Sequence, residues 1–137
     1  MIREVLQGNH YREVRIHIQD VLIKRAATIS EREKFDPAEI RKLFANGAPV
    51  VRVMVLGLMR GDPSLVDAKS LADAIARPAT QTEVYHALKL ADDMWERFSA
   101  SERVEIQEAA KKVKAPKGSF RQELAAKISH ESYRQAS

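Results

Sequence analysis

Residues 49–60 read Pro49-Val-Val-Arg-Val-Met-Val-Leu-Gly-Leu-Met-Arg60, and only Arg52 and Arg60 in that stretch carry charge. A segment apolar on nearly every side has to be wrapped by other elements in a chain that folds in water. It therefore marks the expected centre of the core. Its four valines favour a strand, because β-branched side chains suit a pleated surface. The flanks favour a helix. Gly47 can close a preceding helix, Pro49 suits a first helical position, and Gly61 followed by Pro63 suits a stop. Twelve residues is long for a strand, and every neighbouring segment also reads as helix. The stretch is read as a buried central helix.

Outward from it, the N-terminal side opens with a cap. Asp36-Pro37-Ala38-Glu39 supplies a capping side chain, a proline at the first position and an acid in the first turn, with Phe35 and Ile40 placed for a hydrophobic staple. Ile40, Leu43 and Phe44 are the apolar face of that helix. Residues 9–29 form an earlier, longer helix, with Tyr11, Val14, Ile18, Val21, Leu22 and Ile29 expected inward. On the C-terminal side, 64–76 reads as a helix with Leu65, Leu71, Ala72 and Ile75 inward. Thr80-Gln-Thr-Glu83 is a capping box that opens a helix to about Phe98, with Val84, Leu88, Ala91, Trp95 and Phe98 inward. Ser99-Ala-Ser-Glu102 opens another, with Ile106, Ala109, Ala110 and Val113 inward. After Pro116-Lys-Gly118, a last basic helix over 119–133 starts at Ser119 and carries Phe120, Leu124 and Ile128. The tail after Ser132 reads as frayed. The expected fold is all-α: a compact bundle of six to seven short helices in one domain over residues 1–137.

The chain has 137 residues, 45% apolar and 31% charged, with a net charge of +4. It has no cysteine, so a disulfide scaffold, a thiol nucleophile and a cysteine zinc site are excluded. No apolar run approaches the ~20 residues of a membrane helix, and the N-terminus has no signal-peptide apolar block. A cytoplasmic protein with no membrane contact is expected. Charge is unevenly placed: +2 over residues 1–34, −3 over 35–110 and +5 over 111–137. A basic end of this kind suits an anionic partner or is merely a solvated face.

Val53, Val55 and Met59 align with Leu88, Leu90 and Met94 at an offset of 35 residues, and Ser64 and Leu71 align with Ser99 and Ile106. With Glu83-Val-Tyr-His-Ala-Leu-Lys-Leu-Ala-Asp92 as the most repeat-like stretch, residues 49–114 resemble two HEAT- or armadillo-like helical pairs, two hairpins about the buried helix. The resemblance implies a scaffold that binds protein or nucleic acid along one face and has no chemistry of its own. Arg12 and His17, with four residues between them, resemble the Arg–x4–His signature of HEPN ribonucleases, although Glu13 stands where that family has a small polar residue. That resemblance implies an arginine and a histidine acting on a ribose 2′-hydroxyl.

Other chemistry is sparse. Gly8, Gly47, Gly57, Gly61 and Gly118 form no phosphate loop. His10, His17, His86 and His130 are scattered, and Glu83-Val-Tyr-His86 lacks the second pair a di-iron bundle needs. No catalytic residue, metal site or cofactor is assigned. Asp92, Asp93 and Glu96 read as a wet helix face. The candidate site is the basic end: Lys111, Lys112, Lys114, Lys117, Arg121 and Lys127, able to neutralise phosphates without reading bases. The leading expectation is a non-enzymatic helical interaction module with a protein partner or a place in a larger complex. Nucleic-acid binding through the basic end is the alternative, and a HEPN-like ribonuclease the second alternative.

Overall fold

The structure is a computed structural model that describes residues 8–130 and Tyr133, with side chains from His17 onward. Among the described residues there are seven α-helices, two short 3-10 turns and no strand. The helices gather into two compact units that divide between Leu65 and Val66.

The first unit contains α1 (Gly8–Arg32), α2 (Pro37–Asn46), α3 (Pro49–Gly61) and a 3-10 turn (Pro63–Leu65). Asp36 caps α2 by accepting the Ala38 N–H at 3.1 Å, with Pro37 at the first position. The valine-rich stretch is α3, a helix. Its second half is enclosed: Val53 and residues Val55 to Met59 are buried. Its first turns are not, since Val50 and Met54 stay exposed. Arg52, one of the two charges in the stretch, lies over the Phe44 ring at 4.4 Å, so its guanidinium covers an aromatic face instead of entering the core. Ile40 and Phe44 are buried on α2, whereas Leu43, expected beside them, is exposed.

α1 corrects the sequence reading. Its buried side chains are Gln19, Ile23, Ala26 and Ser30, while Ile18, Val21 and Ile29 face outward. The side chains of Tyr11 and Val14 lie outside the described residues. The reason is backbone proximity. α1 packs on α3, and a Cβ built on Gly57 would stand 2.6 Å from the Ile23 carbonyl oxygen and 2.8 Å from the Ala26 Cβ. A Cβ on Gly61 would overlap the Ala27 carbonyl and Ser30 Oγ. Two glycines one turn apart on α3 thus meet the small side chains of α1, and Ser30 Oγ donates to the Leu58 carbonyl at 2.8 Å across the seam. Ala26, Ala27 and Ser30 stand where the glycines come close, because small side chains let two backbones touch. Gly57 lies against Ile23 and Ala26, and Gly61 against Ala27 and Ser30, so the two helices run in the same direction.

The second unit contains α4 (Ala68–Ala76), α5 (Gln81–Asp93), a 3-10 turn (Trp95–Arg97), α6 (Ala100–Lys111) and α7 (Phe120–Ser129). α4 packs on α5 and α6, and α7 packs on both α5 and α6. The core holds Leu71, Ile75, Leu88, Trp95, Ile106, Leu124 and Ile128. α4 begins later than its sequence suggests. Asp67 is the cap, accepting from Ser70 N at 3.0 Å and Ser70 Oγ at 2.7 Å, while Leu65 is buried in the preceding 3-10 turn. The helix expected to run from Thr80 to Phe98 breaks at Met94, yet all five of its expected inward residues are buried.

Three further caps follow the sequence. Thr80 Oγ1 accepts from Glu83 N and Ser119 Oγ from Gln122 N, each at 3.2 Å. At Ser99 the box is complete: Ser99 Oγ accepts from Glu102 N at 3.2 Å, and Glu102 Oε1 accepts from Ser99 N at 2.8 Å. Ser99→Ala is expected to lower stability by about 1 kcal/mol, read as a lower urea midpoint at unchanged slope.

Candidate nucleic-acid interface

Six basic residues mark the site in the sequence, and the second unit sorts them by what each already touches. α6 stops at Lys111. Lys112 closes it, its N–H donating to the Ala109 and Ala110 carbonyls. The connection then turns through Pro116, whose carbonyl accepts from Ser119 N at 3.0 Å, and through Gly118 at φ +84°. That left-handed conformation suits glycine, and nothing lies within 4 Å of where a Cβ would be. Ser119 then starts α7.

Lys112, Lys114 and Lys117 all lie on this connection, all are exposed, and none forms an ion pair among the described residues. Arg121, half-exposed on the first turn of α7, donates through Nη1 to Gln81 Oε1 at 3.0 Å. Its partner is neutral, so its charge is not offset there. Lys111 is different, being paired with Glu108 at 3.1 Å. Lys127 also lies near a carboxylate, with Nζ 3.9 Å from Asp92 and 5.8 Å from the Tyr133 ring centroid. Among the described residues, Lys112, Lys114, Lys117 and Arg121 thus have no carboxylate partner, whereas Lys111 and Lys127 each lie beside one.

An aromatic group joins the set. Phe120 is 59% exposed, although its spacing puts it in register with Leu124 and Ile128. Leu124 and Ile128, one and two turns further along that face, are buried as expected. Phe120 is the first residue of α7, at the end of the helix, with one side left open. Its ring lies 5.6 Å from that of Tyr85, which in turn meets His86 edge-on at 5.0 Å. Tyr85 and His86 are half-exposed. From the sequence, the eight Trp, Tyr and Phe residues read as too few and too buried in register for single-strand stacking, a reading that misses Phe120 and Tyr85 as surface groups. The available signal was the position of Phe120 directly after a cap, where its face has no preceding turn to cover it.

The contacts Arg121–Gln81 and Phe120–Tyr85 also bring the N-termini of α5 and α7 to one place. Each end carries a partial positive charge of about +0.5. Glu123, exposed on the first turn of α7, subtracts one charge. Glu83, in the first turn of α5, is fully buried, and its Oε1 accepts the Ala79 N–H at 3.3 Å.

The remaining candidates fall elsewhere. His17 is exposed on α1, and the side chain of Arg12 lies outside the described residues. Asp92 accepts from the Tyr133 hydroxyl, and Asp93 pairs with Lys89 at 3.6 Å. Tyr133 is buried against Trp95, ring centroids 5.0 Å apart. Among the described residues no group of three His, Asp or Glu side chains is placed to hold a metal, and no helix is long and apolar enough to cross a membrane. No known protein family, curated protein or solved structure matches this chain.

Proposed function

We propose that this protein is a non-enzymatic helical interaction module whose second unit binds single-stranded nucleic acid along the α6–α7 connection. The observation that carries the reading is the exposed Phe120 ring beside Arg121 at the start of α7, directly after the connection that carries the exposed Lys112, Lys114 and Lys117. Cations alone suit any anion. Cations beside an open aromatic face suit an unpaired strand, whose phosphates meet the charges while a base stacks on the ring. Recognition is then of backbone and stacking, without base readout.

Fluorescence anisotropy with labelled oligo-dT and oligo-U, against a duplex of equal length, tests this. With four cations engaged, a plot of log K against log salt should have a slope of about −3. Changing Lys112, Lys114 and Lys117 together to Gln should bring the slope to about −1. Phe120→Ala should weaken single-strand binding by about 1–3 kcal/mol and leave the slope unchanged. Equal affinity for duplex and single strand, or a Phe120→Ala variant that binds as well as the parent, would overturn the reading.

A further inference from the structure

The outer face of α1 is a second apolar surface that the core does not use. Ile18, Val21 and Ile29 are 53%, 41% and 46% exposed, and Leu22 between them is half-buried. At 100° per residue they share one side of the helix, centred about 110° round from the seam that Ile23, Ala26 and Ser30 make with α3. A helix that is apolar on two faces needs a neighbour for each, and α3 covers one. A shallow groove lined by Val21, Lys24, Arg25, Thr28 and Ile29 follows the open face.

We infer that this face docks a short amphipathic helix of a protein partner, apolar along one stripe and acidic along its margins. Charge sets the partner's chemistry. Lys24 and Arg25 line the groove, both are exposed, and neither forms an ion pair among the described residues. Of the described carboxylates of this helix, neither Asp20 nor Glu31 lines the groove. Length sets the partner's size. Ile18 to Ile29 spans about 16 Å at 1.5 Å per residue, which matches three turns of a second helix. Area argues against a second copy of this chain. Three half-exposed aliphatic side chains fall well short of the ~800 Å² per partner that a stable interface buries. A short helix in a groove, read through apolar anchors at three- and four-residue spacing, does not need that area.

The probe is a capped 14-residue peptide with leucines at alternating three- and four-residue steps and glutamates on the flanks. A twin peptide carries lysines in place of the glutamates. Titrated against the full chain by anisotropy, the acidic peptide should bind at least tenfold tighter than its lysine twin. Val21→Ser with Ile29→Ser should weaken it at least tenfold, and so should Lys24→Glu with Arg25→Glu. Circular dichroism checks that these exposed-site variants stay folded. Arg41→Gln with Lys42→Gln, exposed cations of α2, should leave it within twofold. Loss of binding in that last variant would reduce the effect to general attraction and overturn the assignment. So would equal binding of the two peptides, or no binding of either. Concentration-dependent self-association of the parent chain, abolished by Val21→Ser with Ile29→Ser, would give the face to a second copy and overturn it as well.

Discussion

Gly61→Ala should destabilise the first unit by about 3 kcal/mol, the upper part of the usual overpacking range. Added helix propensity would work the other way by at most ~1 kcal/mol, and less at the last position of a helix. The clash decides the sign. The new methyl would overlap the Ala27 carbonyl, which is backbone, so no rotamer change relieves it. α1 would have to move off α3, lengthening the 2.8 Å bond from Ser30 Oγ to the Leu58 carbonyl. Gly57→Ala should act in the same direction, because its Cβ would press on the Ile23 carbonyl and the Ala26 methyl. Gly118→Ala is the contrast. It meets no atom and should cost only the ~1–2 kcal/mol of a left-handed backbone at an alanine. Thermal unfolding followed by circular dichroism measures all three. A Gly61→Ala variant as stable as the parent would mean that the α1–α3 seam is looser than described.

Trp95→Ala should cost about 3–5 kcal/mol, as deletion of a buried aromatic does. Trp95 is 1% exposed, and several groups lean on it. Phe98 and Tyr133 meet its ring at 6.3 and 5.0 Å, and the Arg103 guanidinium lies 5.5 Å from its centroid. Arg103 Nε also donates to the Trp95 carbonyl at 3.1 Å, a bond that any residue at 95 could accept. The loss is therefore one of packing. Trp95→Phe should be far milder. The indole Nε1 is buried and has no hydrogen-bond partner among the described residues. Removing an unpaired donor relieves a desolvation penalty of ~1–3 kcal/mol, which offsets much of the lost ring volume. Urea unfolding of both variants gives the comparison. Equal destabilisation by Phe and Ala would show that the indole N–H makes a bond the packing does not reveal.

Most of the helix starts were legible because caps are local chemistry. Asp36, Thr80, Ser99 and Ser119 all accept the N–H groups that their spacing promised. The helicity of Pro49–Gly61 was legible for the same reason, from punctuation that outweighed four valines. What the chain packs against was harder to read. On α1 most of the large apolar residues marked one face, but α3 packs on the face of Gln19, Ile23, Ala26 and Ser30, and Gly57 and Gly61 announce that close approach only when the partner helix is known. Phe120 failed for a different reason: periodicity names a face without saying where the cover ends. Of the six cations, sequence position could not separate Lys111 and Lys127, which have carboxylates close by, from Lys112, Lys114 and Lys117, which have none described.

The shared direction of α1 and α3 bears on synthesis. Because the seam joins Ser30 to Leu58, 28 residues apart, the chain must go out, return through α2 and go out again before it closes. A nascent chain held at Asn46 would present α1 with neither apolar side covered. Only after Gly61 clears the ribosome can one side be sealed, and until then the apolar residues of this helix stay open to wrong contacts.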